Sequence, residues 1–192
     1  MDPLATPAPV QRRLLHTREV TCHGYRRADG LYDIEGRMRD LTAEGTCMIF
    51  HGLAPGEAIH DLRLVLTIDK DLLIHRAQAF MDSTATPYCG AAAQAYDSLV
   101  GLKIGPGFRQ AARERVGGVV GCTHLTELLG PIGTTAMQTL FSESREARRN
   151  GAAEPDEGPQ PRPGVVGTCR AYRMDSPATE RIWPLARRPS AA

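Results

Sequence analysis

Aromatic side chains make up only 5% of this 192-residue chain, with one tryptophan, Trp183. That scarcity argues against the stacking platforms that bind single-stranded nucleic acid. An excess of one charge is missing too. The 23 Lys and Arg residues stand against 22 Asp and Glu, whereas a dedicated binder of nucleic acid or another polyanion would carry a basic surplus. No apolar run approaches the roughly 20 residues of a membrane helix, and the opening MDPLATPAPVQRR has no apolar segment of a secretory signal. A cytoplasmic protein is expected, with neither nucleic acid nor membrane as a partner. Catalytic signatures are also sparse. There is no CxxC pair and no GxSxG elbow, and Gly105-Pro106-Gly107 lacks the lysine and spacing of a phosphate loop. The five cysteines are odd in number and widely spaced, which in a reducing compartment suits thiols or metal ligands better than a disulfide framework.

What is present is organised. Residues 1–13, rich in Pro and Ala, read as a disordered arm. Residues 14–141 read as one domain that begins with strands. REVTCHGYRRADGLYDIEGRMRD holds two extended runs about a turn at Ala28-Asp29-Gly30, with Tyr32, Ile34, Gly36 and Met38 sharing one face of the second run. Residues 43–59 read as a loop around a short strand near CMIF. HDLRLVLTID then alternates with Leu62, Leu64, Leu66 and Ile68 on one face, turns at Asp69-Lys70-Asp71 and returns as LLIHRAQAFMD.

Three helical stretches follow: AAAQAYDSLVG, FRQAARERVGG and CTHLTELLGPIGTTAMQTLFSE. Glycines end the first two, and Gly130-Pro131 is expected to kink or interrupt the third. Residues 142–164 have the composition of a flexible linker, and residues 165–192 are expected to supply one more strand and a tail that packs back on the domain. Strands first and helices afterwards predict an α+β fold, an antiparallel sheet built from hairpins with helices on one face.

The candidate chemistry lies at GCTHLTELL, residues 121–129. Cys122 opens a helix with Thr123 as a plausible cap, His124 follows, and Glu127 shares its face three residues on. A thiol at a helix N-terminus ionises more readily, and the thiolate is both the nucleophile and the metal-binding form. Cys89 likewise opens a helix. Cys89, Cys122 and His124 would make a soft site for a zinc or iron ion, which His60 or Asp61 could complete. His60 and Asp61, adjacent at a strand start, project to opposite faces, so one of them joins a given site easily. Glu127 could serve as a ligand or general base. His16 and Cys169 are further candidates without visible partners. Asp29, Asp33 and Glu35 lie among Arg26, Arg27, Arg37 and Arg39, the pattern of a salt-bridged sheet face.

LHTREVTCHGYRRADGLYDIEGRMRD, IHDLRLVLTID, PYCG, LVGLKIGPGF and GCTHLTELL, in that order, resemble an uncharacterised bacterial family, domain of unknown function 2889 (DUF2889). A more distant likeness is to the NifU/IscU-type iron–sulfur scaffold. That resemblance implies a NifU/IscU-like core in which Asp61, Cys89 and Cys122 converge on one metal site. The scaffold's first cysteine falls on Ile59 here, and its histidine precedes the last cysteine instead of following it. The donor set therefore suits a mononuclear zinc or iron ion better than a cluster. Three functions stay open: a metal site acting on a small-molecule substrate, a metal-free enzyme with Cys122 as nucleophile and His124 or His60 as base, and a non-catalytic protein that handles metal or binds a partner.

Overall fold

The computed structural model describes residues 10–151 and 159–189. The chain divides into two compact units, up to Ser144 and from Arg145 onward.

The first unit is built on a four-stranded antiparallel sheet in the order β1-β2-β5-β6. Its strands are β1 (His16–Arg26), β2 (Tyr32–Thr42), β5 (Ala58–Ile68) and β6 (Ile74–Ser83). Between β2 and β5 a two-rung ribbon forms from β3 (Thr46–Cys47) and β4 (Gly52–Leu53). Period-two alternation explains the sheet. Tyr32, Ile34 and Met38 of β2 and Leu62, Leu64, Leu66 and Ile68 of β5 are all buried. Each such side chain withdrawn from water contributes about 2 kcal/mol, and only one face of the sheet can offer them a core. The opposite face carries ion pairs, including Arg37 with Asp61 at 2.6 Å and Arg39 with Glu19 at 3.4 Å, as the charge pattern there implies.

The covering layer begins with 3-10 turns over Cys89–Leu99, where the sequence suggested a helix, and Gly101 follows at φ 84°. Helix α1 (Phe108–Val116) and helix α2 (Thr123–Arg149) complete it. Tyr96, Leu99, Phe108, Ala112, Val116, Leu125, Leu128, Leu129, Ile132 and Ala136 join the sheet residues in one buried cluster. This is the expected α+β arrangement.

The structure narrows one expectation about α2 and corrects another. Of the kink or interruption expected at Gly130-Pro131, the interruption does not occur, because Pro131 lies inside the helix. Pro131 follows Gly130, which has no Cβ for the ring to crowd, and buried Leu128, Leu129 and Ile132 hold both sides of the break to the core. The helix also continues to Arg149, so residues 142–149 are helical and do not belong to a linker. SESREARR is made largely of strong helix formers, which extend a helix already nucleated by packing. The rest of the expected linker lies partly outside the described residues, as does most of the N-terminal arm.

In the second unit, the strand expected over VVGTCRAYRM is instead a run of turns. Val166, Thr168 and Gly167 direct their N–H groups to Pro163, Val165 and Tyr172, and Gly167 sits at φ 86°, so the backbone donors are consumed locally. Helix α3 (Pro177–Ile182) follows, capped by Ser176, whose side chain accepts from the Thr179 N–H at 3.1 Å. Trp183 is buried there, and its ring N–H donates to the Gln160 carbonyl at 3.0 Å.

Candidate metal centre

One rung of the sheet carries the site. Arg18 of β1 pairs in register with Asp40 of β2, which pairs with His60 of β5. The parity of β2 is decisive. Tyr32, Ile34 and Met38 face the core, so Asp40 faces it too, as a carboxylate only 2% exposed. The register between β2 and β5 shifts directly after the Asp40–His60 pair, a bulge beside the site that re-aims the end of β5.

Asp40 is heavily engaged. Arg18 grips it with a fork, Nε to Oδ1 at 2.7 Å and Nη2 to Oδ2 at 2.8 Å. His60 Nδ1 lies 3.0 Å from Oδ2 and His16 Nε2 lies 3.2 Å from Oδ1. Arg18 above all, with help from His60, holds the Asp40 carboxyl down at about 2 although burial opposes ionisation. The third Nη1 arm of Arg18 reaches Glu127 Oε2 at 2.9 Å.

His124 arrives from above, on the first turn of α2. Cys122 immediately precedes that helix, and its carbonyl accepts the N–H of Thr126 at 2.9 Å. Buried Tyr96 fixes this entry. Its hydroxyl donates to the Cys122 carbonyl at 2.7 Å, accepts from the Cys122 N–H at 3.2 Å, and lies 2.8 Å from the Thr126 hydroxyl. Gly121 is needed because any Cβ there would strike the Val116 carbonyl. The His124 ring stacks on His60 with centroids 4.0 Å apart and planes tilted by 34°, and its Nε2 lies 4.0 Å from Asp40 Oδ2. Burial first, then the neighbouring His60 and Arg18, lower the proton affinity of His124. The neutral ring, the form that ligates a metal, is favoured.

Asp40, His60 and His124 thus bring three donor atoms within 4.8 Å of one another. Of the residues picked out from sequence, His60 and His124 are in this group. Cys122 stands behind it, with Sγ 3.8 Å from His124 Nδ1. His16 touches the far oxygen of Asp40, and Glu127 lies at the rim, bonded to Arg18. Asp61 and Cys89 are not in it. Asp61 lies on the opposite sheet face, forked by Arg37 at 2.7 and 2.6 Å. The Cys89 thiol contacts the Thr86 hydroxyl at 3.3 Å. Among the described residues, no cysteine belongs to a three-donor group, so the Asp61–Cys89–Cys122 convergence implied by the scaffold resemblance does not form. All five cysteines are free, and Cys169 is exposed in the second unit. Asp40 and Arg18 are the residues that motif reading passes over. Their signal is a charged residue at a core-facing position of an amphipathic strand.

A family model described as "Protein of unknown function (DUF2889)" matches residues 16–138, and the chain belongs to that family. No curated protein and no solved structure matches it.

Proposed function

We propose that this DUF2889 protein binds one divalent zinc or iron ion through Asp40, His60 and His124. The observation that carries this reading is the convergence of two imidazole nitrogens and one buried carboxylate oxygen within 4.8 Å. Two histidines and a carboxylate are a donor set for zinc and for non-haem iron. The 3.0 Å between His60 Nδ1 and Asp40 Oδ2 is close to the edge, about 3.0 Å for an octahedral ion and about 3.4 Å for a tetrahedral one, spanned by two donors each about 2.1 Å from a common ion. His124 has to close inward by about an ångström to do the same. Supporting contacts are in place as well: Arg18 fixes Asp40, and the Cys122 thiol faces the second nitrogen of His124. Such an ion supplies Lewis acidity or an activated water to a small-molecule substrate. In this chain, Arg18 and Tyr96 orient the donors and burial lowers the proton affinity of His124.

A second reading, a metal-free thiol enzyme, rests on a different feature of the same residues. Cys122 Sγ, the His124 ring and Asp40 Oδ2 follow one another at 3.8 and 4.0 Å. In that order His124 would accept the thiol proton and Asp40 would stabilise the resulting imidazolium.

Elemental analysis of protein purified without an affinity tag separates the two. About one zinc or iron per chain, lost in His60→Ala and His124→Ala but kept in Cys89→Ser and Asp61→Asn, is the expected result. A parent free of metal even after anaerobic purification overturns it. Alkylation of Cys122 that is faster than that of exposed Cys47, and slowed by His124→Ala, would then favour the thiol.

A further inference from the structure

Beside the donor cluster, a cleft of about 480 Å³ opens between α1 and the start of α2, lined among others by Arg109, Arg113, Val116, Thr123, Glu127 and Leu129. Its volume falls in the range of small-molecule sites. Its charges are unusual. Arg109 and Arg113 stand four residues apart on one helix face, where like charges repel. Neither guanidinium makes an ion pair or side-chain hydrogen bond among the described residues. Arg115 on the same helix contrasts with them, donating to the carbonyls of Ser98 and Val100. The one carboxylate in the lining, Glu127, is already met by Arg18 at 2.9 Å. Among the described residues, the cleft therefore presents two planar cations without a carboxylate partner and a Thr123 hydroxyl. Val116 and Leu129 lie beneath the cleft, too buried to offer it appreciable surface.

We propose that this cleft binds a small molecule carrying an oxyanion, carboxylate or phosphate. Two guanidiniums suit such a head, because each offers parallel N–H donors matched to a pair of oxygens. Thr123 and Glu127 line the cleft from the same helical turn that carries His124, so a molecule held here sits within about one turn, some 5 Å along α2, of the His124 backbone. The inference does not depend on an ion being bound at Asp40.

The test is titration calorimetry of the full chain at constant ionic strength with hexanoate, hexyl phosphate and hexan-1-ol. Saturable binding of either anion at about 1 mM or tighter, with none of the neutral alcohol, is expected. The stronger of the two anions identifies the head group. Arg109→Gln/Arg113→Gln should weaken binding about tenfold or more. Arg63→Gln, on the sheet, should leave it unchanged. Both arginines of the double variant are exposed, so its fold should persist, which circular dichroism checks. Metal content measured on the same samples keeps this result apart from the proposed ion. No binding by either anion, binding of hexan-1-ol equal to theirs, or undiminished binding in the double variant overturns the proposal.

Discussion

Asp40 is a carboxylate in a place where a leucine would be ordinary. The fold tolerates it because Arg18, His60 and His16 together give both oxygens partners, and a buried charge with partners on every side avoids the penalty of an orphan. The same contacts make stability pH-dependent. The folded carboxyl is held at about 2, below its unfolded value, so its contribution is fully present above about pH 4 and disappears as pH falls towards 2. Its size is on the order of 2 kcal/mol for a group this buried. Urea denaturation at pH 5 and pH 2.5 should show that loss in the parent. Asp40→Asn should start lower at pH 5 and lose less between the two. Equal acid losses in both proteins would mean that other carboxylates govern the limb. The residue was readable in principle: β2 alternates Tyr32, Ile34, Gly36, Met38, and the next member of the series is Asp40. What the sequence does not carry is the rung. Arg18, Asp40 and His60 meet only through the pairing of three strands, and His60 gains its partner across a register that a bulge then breaks. The cysteines drew attention because a helix-opening thiol is a local pattern, whereas the three-donor group is assembled from distant segments.

Among the elements, α2 is set by what the sheet omits. Gly24 and Gly36 present bare backbone to it, with Thr139 over the first and Ile132 over the second. A Cβ on Gly36 would meet the Ile132 side chain at 2.7 Å, closer than real contacts allow. Gly36→Ala should cost about 1–3 kcal/mol by overpacking, which lowers the melting temperature by several degrees in a protein of this size. Gly36→Ala combined with Ile132→Val should recover part of it, as a shorter side chain yields room. An unchanged melting temperature for Gly36→Ala would show that α2 can lift from the sheet without cost. The hairpins were legible because they are governed by local chemistry, alternation and turn residues, whereas the cap expected at Thr123 is the first residue of α2 itself and α3 with its Ser176 cap was missed. The course of α2 through Pro131 was not legible either. Proline's local penalty is real, and only the buried side chains on both sides of it, set by tertiary packing, override it.

Across the whole molecule, core, candidate site and family match coincide. The buried cluster and its packed neighbours run from Cys22 to Leu140, the donor rung and its helix from His16 to Glu127, and the family match covers 16–138. The second unit has buried anchors of its own in Val166 and Trp183. A chain of residues 10–151 therefore contains every group that forms the sheet–helix core and every proposed ligand. It should fold cooperatively, melt within a few degrees of the full chain and carry the same metal content. Differential scanning calorimetry and elemental analysis of the two proteins read this directly. A cooperative transition with the metal lost would mean that the omitted residues are needed for metal binding. A broad, non-cooperative transition would mean that the first unit depends on residues beyond 151 for its fold.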